Sequence, residues 1–366
     1  MRTYDYIYFI IDDLIDQQFD KDHYSLAFDD DLRFDHDKFY AYKKEYEPTK
    51  PLIVLNHNPG RFNYDYCYLN GKWIPSTNTF QSKLERKFHF IQHHWEPINY
   101  NLDKIFWDNV QQVYKENGIT PFVLHSEYRS KDVELLGMAD IHWFAHAYLC
   151  SEFYFKNYQK LKLVKDYTAR PIKHRWLCTN RLLRQHRTDF LEMLDLSLGC
   201  YSLLNPDPNG LTYHGPVPAH SFDSHENHSA EIVINNLTPW NTSFLHVVNE
   251  TVWQDKIHFT EKVFKPIVLH QPFVVLQAPD SLVYLRSYGF KTFGEWWDES
   301  YDQIQDPQER MQAIADIVNW IGTKSTEELE TMRMEMANVL EHNFTHFYEN
   351  IPAICLNELS VGLNLV

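Results

Sequence analysis

No two cysteines in this sequence are spaced to act together. Cys67, Cys150, Cys178, Cys200 and Cys355 are odd in number and widely separated, with no Cys-x-x-Cys pair. That argues against a zinc ribbon or a disulfide framework and for reduced thiols in a cytoplasmic setting. No stretch approaches the roughly 18 consecutive apolar residues of a membrane helix. The start, MRTYDYIYFIIDDL, has a short apolar run that Asp12 and Asp13 interrupt, without the apolar core and cleavage site of a signal peptide. Neither a leader nor a membrane span is therefore expected. Also missing are GxSxG, GxxxxGK[ST], HExxH and GxGxxG, the last of which weakens a dehydrogenase reading. Positive charge is scarce as well: 34 Lys and Arg stand against 50 Asp and Glu, a formal net charge of -16. Duplex binding relies on basic side chains displacing counterions, so nucleic acid is the least favoured partner.

What is present is the make-up of a folded globular protein. The 366 residues exceed what one core usually serves, which favours two domains. Aromatics are abundant, with 24 Phe, 23 Tyr and 10 Trp; most fill cores, and a few have the flat faces that stack on sugars and bases. IYFII (7–11), PLIVLNHN (51–58), TPFVLHSE (120–127) and IHWFAHAYL (141–149) read as strands, and 102–117 as a helix ending at Gly118. The polar, basic stretch 158–173 suits a crossing between domains. Beyond it, HRWLCTN reads as a strand and LLRQHRTDFLEMLDLS as a helix ending near Gly199. Residues 203–230 read as a Pro- and Gly-rich loop, followed by strands EIVINNL and SFLHVVNE, a helix from FTEKVFKPIVLH and the strand PFVVL. Asp306 caps one late helix, and Ser325 with Glu328 forms a capping box for another. This rhythm predicts an α/β fold of two Rossmann-like domains facing a cleft, with C-terminal helices: 1–165 on the acceptor side, 166–366 for the donor.

The chemistry concentrates in residues 244–276. A strand ends at Asn249-Glu250, a polar loop follows, and Thr260-Glu261-Lys262 opens a helix. A helix N-terminus presents N–H groups and positive partial charge to phosphate, and Lys262 adds a cation. Glu261 in the first turn is placed to accept from ribose hydroxyls. On local chemistry alone, a plain helix start capped by Thr260 is the commoner reading.

The order N-E-T … F-T-E-K-V-F-K-P … P-F-V-V resembles the donor-binding motif of alpha-1,3-fucosyltransferases and related glycosyltransferases of the GT-B fold. SLVYLRSYGFKTFGEWWDESYD (281–302) resembles the same group. Val248-Asn249-Glu250-Thr251 stands where that family has Phe-Glu-Asn, and the loop to Thr260 is about one residue longer. WLCTNRLLRQHRTDFLEML resembles the first strand, loop and helix of that family's C-terminal domain. The likeness spans about 170–345. It implies Glu261 on the ribose, Lys262 on the diphosphate and Glu250 on the sugar or the neighbouring loop. It makes Arg187 the basic residue that reaches the diphosphate, with Asn180, Arg181 and His186 beside it; an arginine's planar fork suits phosphate oxygens. An inverting transfer also needs a base for the acceptor hydroxyl, and the resemblance implies an acidic residue of the N-terminal domain. Glu127 is the candidate, with His125 two residues before it on the same face, and Asp140 and His57 in reserve.

The resemblance implies transfer of a sugar, from a nucleotide-diphosphate donor with GDP as the leading base, to a hydroxyl acceptor on a glycan, protein, lipid-linked glycan or modified base. No cofactor and no metal are expected. His214, His220, His225 and His228 lie in one loop but lack a zinc-like ligand spacing. Asp29-Asp30-Asp31 and Asp35-His36-Asp37 read as exposed acidic loop. A catalytically inactive glycan-binding or scaffold protein is the alternative, as is another sugar-nucleotide enzyme such as a phosphorylase or epimerase.

Overall fold

The computed structural model describes residues 167–357 apart from 208–209, 221–236, 255, 352 and 355–356, together with Tyr128 and the backbone of six strands in the part of the chain before residue 167. Two compact units divide the chain: Met1–His146 with Cys355–Val366, and Ala147–Ile354.

In the first unit four strands form a parallel sheet: β1 (Ile53–Asn56), β4 (Phe90–His93), β5 (Phe122–His125) and β6 (Ile141–Trp143). Their order is β4-β1-β5-β6. Asn56, at the carboxyl end of β1, lies opposite His125, at the carboxyl end of β5. The hairpin β2 (Tyr66–Leu69) with β3 (Lys72–Pro75) is antiparallel. The residues between its strands are Asn70-Gly71, the dipeptide that two-residue hairpin turns favour. The expected strand at 7–11 and the helix at 102–117 lie outside the described residues.

The second unit holds a parallel sheet of the same order. β7 (His174–Cys178), β8 (Gly199–Tyr201), β9 (Ser243–Asn249) and β10 (Phe273–Leu276) run β10-β9-β7-β8. All seven residues of β9 and all four of β10 are buried, as a parallel sheet covered on both faces requires. That is why SFLHVVN and FVVL are near-continuous apolar runs rather than alternating ones. The helices are α1 (Gln185–Glu192), α2 (Thr238–Thr242), α3 (Glu261–Val268), α4 (Ser281–Ser287), α5 (Pro307–Gly322), α6 (Thr326–Glu335) and α7 (Ala337–Glu349). Met311, Ile314, Ala315, Val318 and Ile321 of α5 are fully buried, as are Val263, Phe264 and Val268 of α3. Aromatics fill the core as expected: Phe264 packs on Phe290 and Phe347, and Phe273 on Phe293, which stacks on Trp297.

The caps at Asp306 and at Ser325 with Glu328 form as predicted. Two boundaries differ from the sequence reading. Helix α1 starts at Gln185, not at Leu182, because Arg184 is extended (φ -144°, ψ 140°) and the Leu183 N–H is drawn off by Asp207 Oδ2 at 3.1 Å. It stops at Glu192, and Gly199 opens strand β8 instead of ending the helix. The expected strand 231–237 falls outside the described residues, save Leu237, which lies just before α2.

Candidate functional site

In the second sheet the chain leaves β7 toward β8 on one side and returns as β9 on the other. Between β7 and β9 the strand order reverses, and such a reversal opens a crevice at the carboxyl ends of the two strands. Asn180 follows β7, Asn249 ends β9 and Glu250 comes next. The sequence candidates of this domain therefore converge on one place in the fold.

Helix α1 supplies two side chains. Arg187, 3% exposed, donates to Leu182 O at 3.1 Å and to Asn249 O at 3.3 Å. Burial, then the neighbouring Arg184, lower its pKa to about 10, which leaves it charged at neutral pH. His186 Nε2 donates to Glu250 O at 3.0 Å, and its ring stacks on Trp253 at 5.5 Å. Burial, then Arg187, push the His186 pKa down to about 3, so the imidazole is neutral.

The far wall is the start of α3. Thr260 is its N-cap, accepting from Lys262 N. Both oxygens of Glu250 end on Thr260: Oε1 accepts from its N–H at 3.0 Å and Oε2 from its hydroxyl at 2.6 Å. Lys262 Nζ donates to Thr260 Oγ1 at 2.9 Å and lies 3.3 Å from Glu261 Oε1 and 3.8 Å from Glu250 Oε2. The Lys262 side chain keeps 21% of its surface exposed, while that of Glu250 keeps none. Burial holds the Glu250 pKa above the ordinary carboxylate value, against the pull of Lys262. For Glu261 burial acts the same way, but Lys262, Lys265 and the helix N–H groups outweigh it and lower the pKa.

Four buried polar atoms of Asn180, Arg187 and Asn249 make no hydrogen bond: Asn180 Oδ1, Arg187 Nε, and Asn249 Oδ1 and Nδ2. Native interiors rarely leave such groups unmatched without a reason. Asn180 is otherwise fixed, its amide donating to Cys178 Sγ at 3.3 Å and its N–H to Ser202 Oγ at 2.9 Å. Arg181 follows it, half-buried.

The structure thus gathers Asn180, Arg187, Asn249, Glu250, Thr260, Glu261 and Lys262 at the ends of β7 and β9, with Arg181 on the adjoining loop. Glu127, His57 and Asp140 lie outside the described residues; His125 is placed by its backbone alone, at the end of β5. His214 and His220 are exposed, and His225, His228 and the acidic stretches at 29–31 and 35–37 lie outside the described residues. Among the described residues no group of three His, Cys, Asp or Glu is placed to hold a metal, and no helix is long and apolar enough to cross a membrane.

Two residues of the site escaped sequence reasoning. Trp253 lies against His186, and Arg310 of α5 sits 5.7 Å from the centre of the same indole. Arg310 also donates to Trp253 O at 2.9 Å, which ties the β9–α3 loop to α5. An arginine inside PQERMQ reads as a solvated helix face, and only the tertiary contact reveals it.

The neutral His186 makes the site sensitive to acid. A histidine whose folded pKa is depressed contributes its stability above the unfolded value of about 6.5, and loses it as pH falls toward the folded value. Between pH 6.5 and 5 the loss attributable to His186 amounts to about 2 kcal/mol. The His186→Gln variant keeps a donor for Glu250 O and removes the titration. Its stability is expected to fall less than that of the wild type over this interval in urea melts; parallel pH profiles would contradict a neutral, buried His186.

No protein-family model and no curated protein matches the chain. Among solved structures it is similar to a DNA-modifying beta-glucosyltransferase crystallised with and without uridine diphosphoglucose, at 9% identity and a TM-score of 0.37 over 85% of this chain and 99% of that one. It is also similar to an alpha1,3-fucosyltransferase bound to GDP, at 10% identity and a TM-score of 0.36 over 86% and 91% of the two chains. Another alpha1,3-fucosyltransferase structure gives 11% identity and a TM-score of 0.30 over 79% and 81%. Values this low do not establish a common fold, and the functional reading rests on the site itself.

Proposed function

We propose that the chain is a glycosyltransferase that holds a nucleotide-diphosphate sugar at the ends of β7 and β9 and passes the sugar to a hydroxyl acceptor. One observation carries this reading. At the strand reversal stand Arg187, Lys262 and the N-terminus of α3, together with two buried side-chain donors that lack partners, Arg187 Nε and the Asn249 amide nitrogen. Cations, a helix N-terminus and amide groups are what a nucleoside diphosphate requires. The motif resemblance names GDP as the leading base and an inverting outcome.

In this mechanism Arg187 and Lys262 take up negative charge as the bond between the anomeric carbon and the diphosphate oxygen breaks. Fixed cations offset that charge without a metal ion. Glu261 accepts from the ribose hydroxyls. The acceptor oxygen attacks the anomeric carbon and gives its proton to a carboxylate of the N-terminal unit, for which Glu127 is the proposed base. The products are the glycosylated acceptor and the nucleoside diphosphate.

The test is a thermal-shift screen with GDP, UDP, ADP, CMP and their sugar conjugates, on wild type and Lys262→Ala. A ligand at a hundred times its Kd stabilises the fold by about 2.7 kcal/mol. One diphosphate is expected to raise Tm, and Lys262→Ala is expected to remove most of that rise. If no nucleotide shifts the wild type, the transferase reading fails and an inactive glycan-binding protein takes its place.

A further inference from the structure

Glu250 stands apart from the other site residues. It follows β9 directly, its own N–H donates to Leu276 O at 3.3 Å, and its carbonyl accepts from His186. Its side chain is wholly buried, and both carboxylate oxygens are engaged by one residue, Thr260, ten positions on. The Thr260 hydroxyl in turn accepts from Lys262 Nζ. The result is a relay: carboxylate to hydroxyl to ammonium.

We propose that Glu250 is a positioning residue, whose carboxylate clamps the N-terminus of α3 to the end of β9 and thereby sets the place of Lys262 and of the first-turn N–H groups. A sugar or ribose hydroxyl would need an open lone pair on this carboxylate, and burial plus two bonds to Thr260 leave none facing solvent. A charge in such a place is costly unless its bonds are made, and here they are made to the residue that starts the helix. Glu261, with 18% of its side chain exposed, is the acid of the pair that still reaches solvent. The inference rests on the reading of Lys262 as a diphosphate cation, because the relay ends there.

The clamp and that reading fail differently. Titration calorimetry with GDP, UDP and inorganic pyrophosphate is run on wild type, Glu250→Gln, Glu250→Ala, Lys262→Ala and the double variant Glu250→Ala/Lys262→Ala, each checked for wild-type circular dichroism. Glu250→Ala is expected to weaken binding about tenfold, the scale of a hydrogen bond to a charged group. Glu250→Gln, whose amide oxygen still accepts the Thr260 N–H, is expected to recover most of that loss. The double variant is expected to lose less than the two single losses combined, since residues acting through one another are not additive. Additive losses, or equal losses for Gln and Ala, overturn the proposal in favour of direct contact with the ligand. If Glu250→Ala does not fold, Glu250→Gln combined with Thr260→Val supplies the cycle. Amide hydrogen exchange at Thr260 needs no ligand: it is expected to quicken in Glu250→Ala, which removes the acceptor of that N–H, relative to the β9 amides. Unchanged exchange overturns the clamp even if the wild type binds none of the three probes, an outcome that by itself would remove only the transferase reading.

Discussion

Replacing Arg310 by methionine is expected to destabilise the Ala147–Ile354 unit by about 4 kcal/mol, although the residue lies near the start of a regular helix. Arg310 is 2% exposed. Its guanidinium serves four main-chain carbonyls: Gln277 O at 2.8 Å, Ile304 O at 2.7 Å, Gln305 O at 3.3 Å and Trp253 O at 2.9 Å. Methionine keeps the length and the apolar stem but donates nothing. Each acceptor left buried without a donor costs about 1–3 kcal/mol, and relaxation toward water recovers part of the total. The consequence reaches the site, because Arg310 ties Trp253, and through its stacking His186, to the sheet. Urea denaturation should show a lower midpoint with an unchanged slope. Arg310→Lys, with fewer donors in a less rigid array, is expected to fall between the two. A loss below about 1 kcal/mol would mean that these carbonyls find other partners, and the anchoring role would be wrong.

The same residue marks how far the sequence could be read. Element identity was legible where it depends on near neighbours. SFLHVVN is too continuously apolar for anything but a buried strand or helix core, Thr260-Glu261 announces a helix start, and Asp306 and Ser325 with Glu328 cap the helices they precede. The convergence of the residues proposed for the donor was legible for a related reason: they sit at strand ends and helix starts, and those positions come together when the strands are parallel. What stayed hidden depends on distant contacts. Arg184 is extended, and Asp207, 24 residues beyond Leu183, binds the Leu183 N–H just before it. The bond from Glu250 to Thr260 spans a loop whose path no local pattern specifies; the sequence left Glu250 either to the sugar or to the neighbouring loop, and the structure shows its carboxylate on Thr260, where that loop ends. β8 is only three residues long, at the edge of its sheet, and Gly199-Cys200-Tyr201 has no alternation to betray it.

Gly199 is the position where that last misreading has its largest consequence. As a helix terminator it would be glycine for conformational freedom, and alanine there would carry a modest penalty. In the structure its φ is -112° and its ψ 172°, extended backbone that any residue adopts, so freedom is not the reason. The reason is Trp176, its partner in the β7–β8 register, which is fully buried. A Cβ at residue 199 would overlap the indole of Trp176. The ring is enclosed by the core and cannot swing aside, so the strand or the sheet must give. Overpacking of this kind costs about 3 kcal/mol, against which the lower entropy of an unfolded alanine returns less than 1 kcal/mol. For a unit of this size, Gly199→Ala should therefore lower Tm by roughly 5–10 °C. The decisive comparison is the same substitution in a Trp176→Leu background. There the smaller side chain leaves room, and the added cost of alanine should shrink by at least about 1 kcal/mol, a coupling expected only between groups in contact. If alanine is tolerated beside an intact Trp176, or costs the same in both backgrounds, the close approach of β8 to the indole is not what selects glycine there.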